Sequence, residues 1–143
     1  MDFFAAGMIL ASYVSGGVPT GALLAHGLRG IDIRDHGSGN PGAANVYRVV
    51  GPAAGLATLA LDAAKGFAPV FCAAHWAPGT PWLAAACGGA AIVGHDWSPF
   101  LGFGGGKGVA TTAGVFAALC PKALLITYAA FVAGVTLSGH ISV

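Results

Sequence analysis

The sequence predicts an all-α, polytopic membrane helix bundle, and three observations lead to that class. Only eleven of the 143 residues carry a formal charge, six basic and five acidic, and glutamate does not occur. At 8% charged and 56% hydrophobic, with a mean hydropathy of +0.77, the chain has too few polar groups to cover a water-soluble domain of its size. The charges are also gathered into short stretches: no Asp, Lys or Arg occurs in 3–28, 66–95 or 123–143. Each of those windows reaches the ~20 residues that cross a ~30 Å hydrocarbon core. The same composition excludes a disordered chain, and a net charge of +1 excludes a nucleic-acid partner, which needs a basic field.

The first window, 3–28, has only Asp2 at its N-terminal flank. A secretory signal needs a basic start and a shorter apolar run, so this segment reads as a retained first span. Arg29, Arg34 and Arg48 then mark the segment 30–48. Basic loops stay in the cytoplasm, which puts the N-terminus outside and this loop inside. The chain is expected to leave through 49–76 and turn at 77–81, between Trp76 and Trp82 at the lipid interface. It returns through 82–95, so a second polar segment, 94–111, lies on the same side as the first. A last hairpin, 108–120 and 123–139, turns at Pro121–Lys122. Residues 1–143 read as a single transmembrane unit. Small residues favour close helix approach, with Gly17-xxx-Gly21 and Gly51-xxx-Gly55 as packing faces. Cys72, Cys87 and Cys120 lie in apolar runs without metal-ligand spacing, as ordinary buried small residues.

The chemistry is confined to the two polar segments. In the second, Gly104-Gly105-Gly106-Lys107-Gly108 precedes the apolar run that begins at Val109. Consecutive glycines leave backbone N–H groups uncovered, and a helix N-terminus adds further donors and a partial positive charge. With the Lys107 ammonium this is a phosphate cradle, or else a flexible turn with a lysine at the interface. It is not a Walker A loop, because Gly108 stands where Ser or Thr is needed. In the first segment, Ser38, Asn40, Gly42 and Asn45 offer neutral hydrogen-bonding groups, and Arg48 can hold a phosphate through two parallel bonds. His95 adjoins Asp96 and is a candidate general base, or a histidine that only ends a span. Asp62 and Lys65 are three residues apart on one helix face and can pair. Ionisable groups in an apolar segment are functional candidates by default. His26, His75 and His140 read as interfacial.

SGNPGAANVYR at 38–48 resembles the first motif of the acyl-phosphate:glycerol-3-phosphate acyltransferase (PlsY-type) family, and GHDWSPFLGFGGGKGVAT at 94–111 resembles its second. SYVSGGVPTG at 12–21, GIDIRDHGSGN at 30–40 and LDAAKG at 61–66 match in order, so the resemblance runs along essentially the whole chain. It implies a bacterial inner-membrane enzyme that moves a fatty acyl group from acyl phosphate to the 1-position of glycerol 3-phosphate. The products are lysophosphatidic acid and inorganic phosphate, and no metal, nucleotide or other cofactor takes part. The implied partners are the two substrates and the lipid bilayer, with no obligate protein partner. By matching position, Ser38, Arg48, His95 and Lys107 fall on the catalytic positions. Asn40, Gly42, Asn45, Lys65, Gly105, Gly106 and Gly108 are the candidate substrate- and phosphate-binding residues, the glycines beside Lys107 matching the family's phosphate-binding element.

Three features depart from the family's pattern. Gly104 stands where a basic residue is common, Ala44 stands where Thr is frequent, and a later motif with an Arg-His pair, an Asn and a Glu has no counterpart before Val143. A chain of these residues alone is therefore expected to bind phosphate in part and to turn over little, as an inactive fragment would. The other reading is a non-enzymatic membrane protein, a permease or lipid-binding module, using the same cradle.

Overall fold

The computed structural model describes residues 3–138, and it is helical throughout with no strand among them. Its helices are α1 (Phe3–Gly17), α2 (Thr20–Arg29), α3 (Ala43–Val49), α4 (Pro52–Trp76), α5 (Pro81–Asp96), α6 (Val109–Leu119) and α7 (Pro121–Ser138), with single 3₁₀ turns at Ile33–Asp35 and Pro99–Leu101. His140 and the end of the expected last span lie outside the described residues.

The expected first span is two helices. Pro19 has no N–H to continue the ladder and its ring clashes with the preceding turn, so α1 stops at Gly17 and α2 restarts at Thr20. The carbonyls released at this break are capped from elsewhere. Ser98 Oγ donates to the Gly17 carbonyl at 2.6 Å, and Lys65 Nζ donates to the Val18 carbonyl at 2.8 Å. The segment 30–48 also departs from a plain loop, because residues 43–49 wind into α3 behind the extended Gly42.

α4, 25 residues long, rises about 37 Å at 1.5 Å per residue and spans a bilayer core. Pro52 occupies its first turn, where a missing N–H costs nothing. It packs against α2, α3, α5 and α6, while α5 also lies along α1. The approach is close at the α1–α5 and α4–α6 crossings because glycine faces backbone there. A Cβ at Gly94 would overlap the Tyr13 carbonyl, one at Gly66 the Thr111 carbonyl, and one at Gly114 the Ala63 carbonyl. Gly17, Gly21 and Gly55 are packed in the same way, against Pro99, Pro41 and Tyr47. Gly51 is not: it faces open space and instead uses a φ of 135° to start α4.

Two apolar clusters result. One, with Val70, Leu83, Cys87 and Val115, joins α1, α4, α5 and α6. The other, with Ala25, Ile33, Val46 and Val50, lies under the first polar segment. Around them, Leu56, Phe71, Leu125, Ile126 and Phe131 are exposed, the surface a lipid solvent requires. Trp76 and Trp82 are exposed on either side of the turn that joins α4 to α5, as expected. Of the cysteines only Cys87 is buried, whereas Cys72 is half-buried and Cys120, at the end of α6, is exposed.

Candidate active site

The two polar segments converge on one cavity of about 460 Å³. Ser38, Asn40, Gly42, Asn45 and Arg48 line it from the first segment, and His95, Lys107 and Gly108 from the second. Asp62 of α4 and the first residues of α6, Val109 and Ala110, complete the wall.

The first segment is fixed by side chains. The Asn45 amide is buried, accepts from the Ser38 N–H at 3.0 Å, and donates to the carbonyls of His36 at 2.9 Å and Ile33 at 3.3 Å. Its donors are thereby committed to the loop, so Asn45 shapes the site and does not offer its amide to a ligand. Asn40 Oδ1 accepts from the Gly42 N–H at 2.8 Å. Farther along the loop, Asp32 accepts from the Arg34 backbone and guanidinium. The Arg34 hydrogen bond holds the Asp32 carboxyl down to about 2. Ser38 itself is exposed, with no histidine or carboxylate hydrogen-bonded to its hydroxyl among the described residues.

The second segment is fixed by its backbone. Gly106 donates its N–H to the His95 carbonyl at 3.2 Å, Gly104 donates to Leu101, and Ser98 donates to Gly104. The expected anion nest at Gly104–Gly106 is therefore not formed, since two of those N–H groups are already used. Gly105 and Gly106 do not line the cavity. A Cβ at Gly105 would overlap the carbonyl of His95, and one at Gly106 would overlap the His95 ring. The free backbone donors at the cavity are instead at the N-terminus of α6, where Gly108 at φ 67° precedes the first-turn N–H groups of Val109 and Ala110, which have no partner among the described residues.

Charge is distributed unequally. Arg34 pairs with Asp32, Arg29 donates to the Val50 carbonyl, and Lys65 pairs with Asp62 at 2.9 Å. Arg48 and Lys107 are exposed at the cavity and hold no partner among the described residues. Lys65 does not reach the main cavity. It lines a separate void of about 10 Å³ behind it, shared with Asp62, His95, Gly105 and Gly106. His95 is 8% exposed, with Nδ1 3.8 Å from Asp62 and Nε2 against Gly106. Residue types alone did not single out Thr20 or Ser98 as organisers of the site, and marked Asp62 only through its helical spacing from Lys65. The nearest signal was the ionisable pair Asp62 and Lys65 within an apolar run.

The glycerol-3-phosphate acyltransferase family model matches residues 6–143. The glycerol-3-phosphate acyltransferase of Desulforudis audaxviator is 49% identical over 131 residues, which are 92% of this chain and 65% of that protein. Its namesake in Geobacter sulfurreducens is 48% identical over 131 residues, again 92% of this chain, and 66% of its own length. This chain therefore spans just under two thirds of the length of these relatives. Among solved structures, the crystal structure of PlsY (YgiH), an integral membrane glycerol 3-phosphate acyltransferase, in its glycerol 3-phosphate form superposes with a TM-score of 0.85. That match has 35% identity and covers 94% of this chain and 66% of the other. The form of the same enzyme with lysophosphatidic acid gives 0.79 at 37% identity, covering 87% of this chain and 61% of the other. An all-α membrane bundle, two converging motif segments and a match along nearly the whole chain carry one conclusion: this chain belongs to the glycerol-3-phosphate acyltransferase family.

Proposed function

We propose that the site transfers a fatty acyl group from acyl phosphate to the 1-hydroxyl of glycerol 3-phosphate, giving lysophosphatidic acid and inorganic phosphate. The observation that carries this reading is a pair of cations without a partner among the described residues, Arg48 and Lys107, facing one cavity from two different segments. Both substrates bear a phosphate, and a cavity beside the N-terminus of α6 offers both full charges and backbone donors for them. The hydroxyl oxygen attacks the acyl carbonyl carbon. The bond from that carbon to the phosphate oxygen breaks, phosphate leaves with the electron pair, and the hydroxyl proton passes to it. An acyl phosphate is already an activated donor, so positioning and charge stabilisation supply most of the rate.

Within this reading Arg48 and Lys107 hold the phosphates, with Gly108 starting α6 at a positive φ beside the Asp96 carboxylate. Ser38, Asn40 and Gly42 orient them from the other side. A covalent role for the Ser38 hydroxyl is disfavoured by the lack of an activating base beside it. His95 serves as wall and anchor for the glycine segment. The residues 1–143 act as one membrane unit, with both motif segments in the cytoplasm and the N-terminus outside, in a bacterial inner membrane. That orientation rests on Arg29, Arg34 and Arg48.

The test is release of inorganic phosphate from acyl phosphate by the purified chain in lipid, with and without glycerol 3-phosphate. Release that requires glycerol 3-phosphate and yields lysophosphatidic acid is the expected result. Uptake of phosphate into vesicles without acyl transfer would instead make the chain a permease. Labelling of single cysteines at Ala43 and Gly79 checks the topology, and reaction of both from one side would overturn it.

A further inference from the structure

The buried polar cluster behind the cavity is not used by the proposed reaction, yet it touches both segments that form the site. Asp62 is 2% exposed in the middle of α4. Its carboxylate accepts the Thr20 hydroxyl at the start of α2 and the Lys65 ammonium at 2.9 Å, and it faces His95 Nδ1 of α5 at 3.8 Å. Lys65 donates a second bond to the Val18 carbonyl released by Pro19. One carboxylate thus joins three helices at the break in the first span.

The void between these groups decides what they do. At about 10 Å³ it has room for a single water, for which ~10–15 Å³ is the minimum. A phosphate group does not fit. Two chains of contact lead outward from it. Next to Thr20, Gly21 is pressed against the Pro41 carbonyl, between Asn40 and Gly42 of the first segment. On the other side, the His95 ring is pressed against Gly106, next to Lys107 of the second.

We propose that Asp62 and Lys65 are positioning residues: their ion pair locks the Val18–Pro19 break and sets the separation of the two segments, hence of Arg48 and Lys107. This rests on the reading that the main cavity binds phosphate. A buried pair of this kind is replaceable as a unit but not by halves, because removing one partner strands the other's charge in a low-dielectric interior.

The test is a double-mutant cycle of Asp62→Asn, Lys65→Gln and the pair together, with Thr20→Val as a milder probe that removes one donor without stranding a charge. Binding of glycerol 3-phosphate to each purified variant is one readout. The other is the distance distribution between spin labels on cysteines at Ala44 and Val109, with Cys72, Cys87 and Cys120 replaced by alanine. Each charged single variant should weaken binding about tenfold or more and broaden the distance, while the double variant returns to within about threefold of the parent. Thr20→Val should broaden the distance slightly. If the charged single variants fail to fold, Thr20→Val carries the test, and an unchanged distance in it overturns the proposal.

A double variant no better than the worse single variant overturns the proposal. So does loss of binding in Lys65→Gln and in the double variant with an unchanged distance, which would make Lys65 a direct ligand. Distances and binding unchanged throughout would reduce the pair to a structural detail and also overturn it. If the parent protein does not bind glycerol 3-phosphate, the phosphate reading fails by itself. The distance arm then decides the positioning claim alone.

Discussion

Residues 30–42 and residues 97–108 both approach the cavity as glycine-rich loops, but they are held in opposite ways. The first loop hangs from side chains: one asparagine, Asn45, ties Ile33, His36 and Ser38 together, and Asp32 clasps Arg34. The second is a backbone fitted against a helix end, with Gly105 and Gly106 leaving no room for a Cβ against His95. A polar clasp tolerates small displacements and depends on a few named groups. A backbone fit tolerates almost none, but only at the positions in contact. The same residue type therefore carries different weight in the two loops, and within the second loop as well.

The largest effect should come from adding one carbon where the fit is tightest. In Gly105→Ala the new methyl meets the carbonyls of His95 and Asp96, so the loop must move and carry Lys107 with it. A misplacement of ~1 Å costs about 100-fold in rate, which phosphate release from acyl phosphate would register. Gly104→Ala is the internal control. It meets only the Leu101 carbonyl at 3.4 Å, an ordinary contact, and it should stay within about threefold of the parent. Equal effects of the two would contradict the tighter fit at Gly105.

Next in size are the charges. Arg48→Ala and Lys107→Ala each remove a charged hydrogen-bonding partner worth roughly 1.5–3 kcal/mol, or about 10- to 150-fold in kcat/KM. Neither should lower thermal stability, because neither cation has a partner to lose among the described residues. Asn45→Ala should show the reverse signature. It leaves the Ser38 N–H and the carbonyls of Ile33 and His36 without the amide, and costs about 1–3 kcal/mol of stability by thermal unfolding. Its effect on rate should follow from the loosened loop, and Asn45→Asp should not recover it, because a carboxylate oxygen would replace the donor that faces the carbonyls of Ile33 and His36.

The smallest effect concerns the clasp at Asp32. Its folded value of about 2 lies below the ordinary 3.8, so its contribution is present above that ordinary value and is lost as pH falls towards 2. The pair is exposed, and the effect is correspondingly slight. The midpoint difference between the parent and Asp32→Asn should narrow between pH 6 and pH 3, and a difference that widens would contradict the assignment.

The apolar character of the helices was legible because charge is costly in lipid, but the charge-free window 66–95 straddles the end of α4 and most of α5, and α4 itself carries Asp62 and Lys65. The Asp62–Lys65 pair followed from helical spacing. The break at Pro19 was signalled by a proline inside an apolar run, but the length of 3–28 suggested one span. What rescues the break is Ser98 and Lys65, which are distant in sequence. Asn45 looked like a ligand because an asparagine in a polar loop carries no mark of where its amide points. Gly105 and Gly106 looked like an anion nest because glycine serves both open backbone and close approach. Only the position of the α5 end against the loop distinguishes the two.

Both segments should close on the same bound phosphate compound. Cysteines placed singly at Ala43 and Ala110, which line the cavity from opposite segments, can be labelled with a maleimide while glycerol 3-phosphate is titrated, in a background lacking Cys72, Cys87 and Cys120. Both sites should be protected, with the same midpoint concentration. Protection of one site while the other labels freely at saturating glycerol 3-phosphate would contradict closure on one compound.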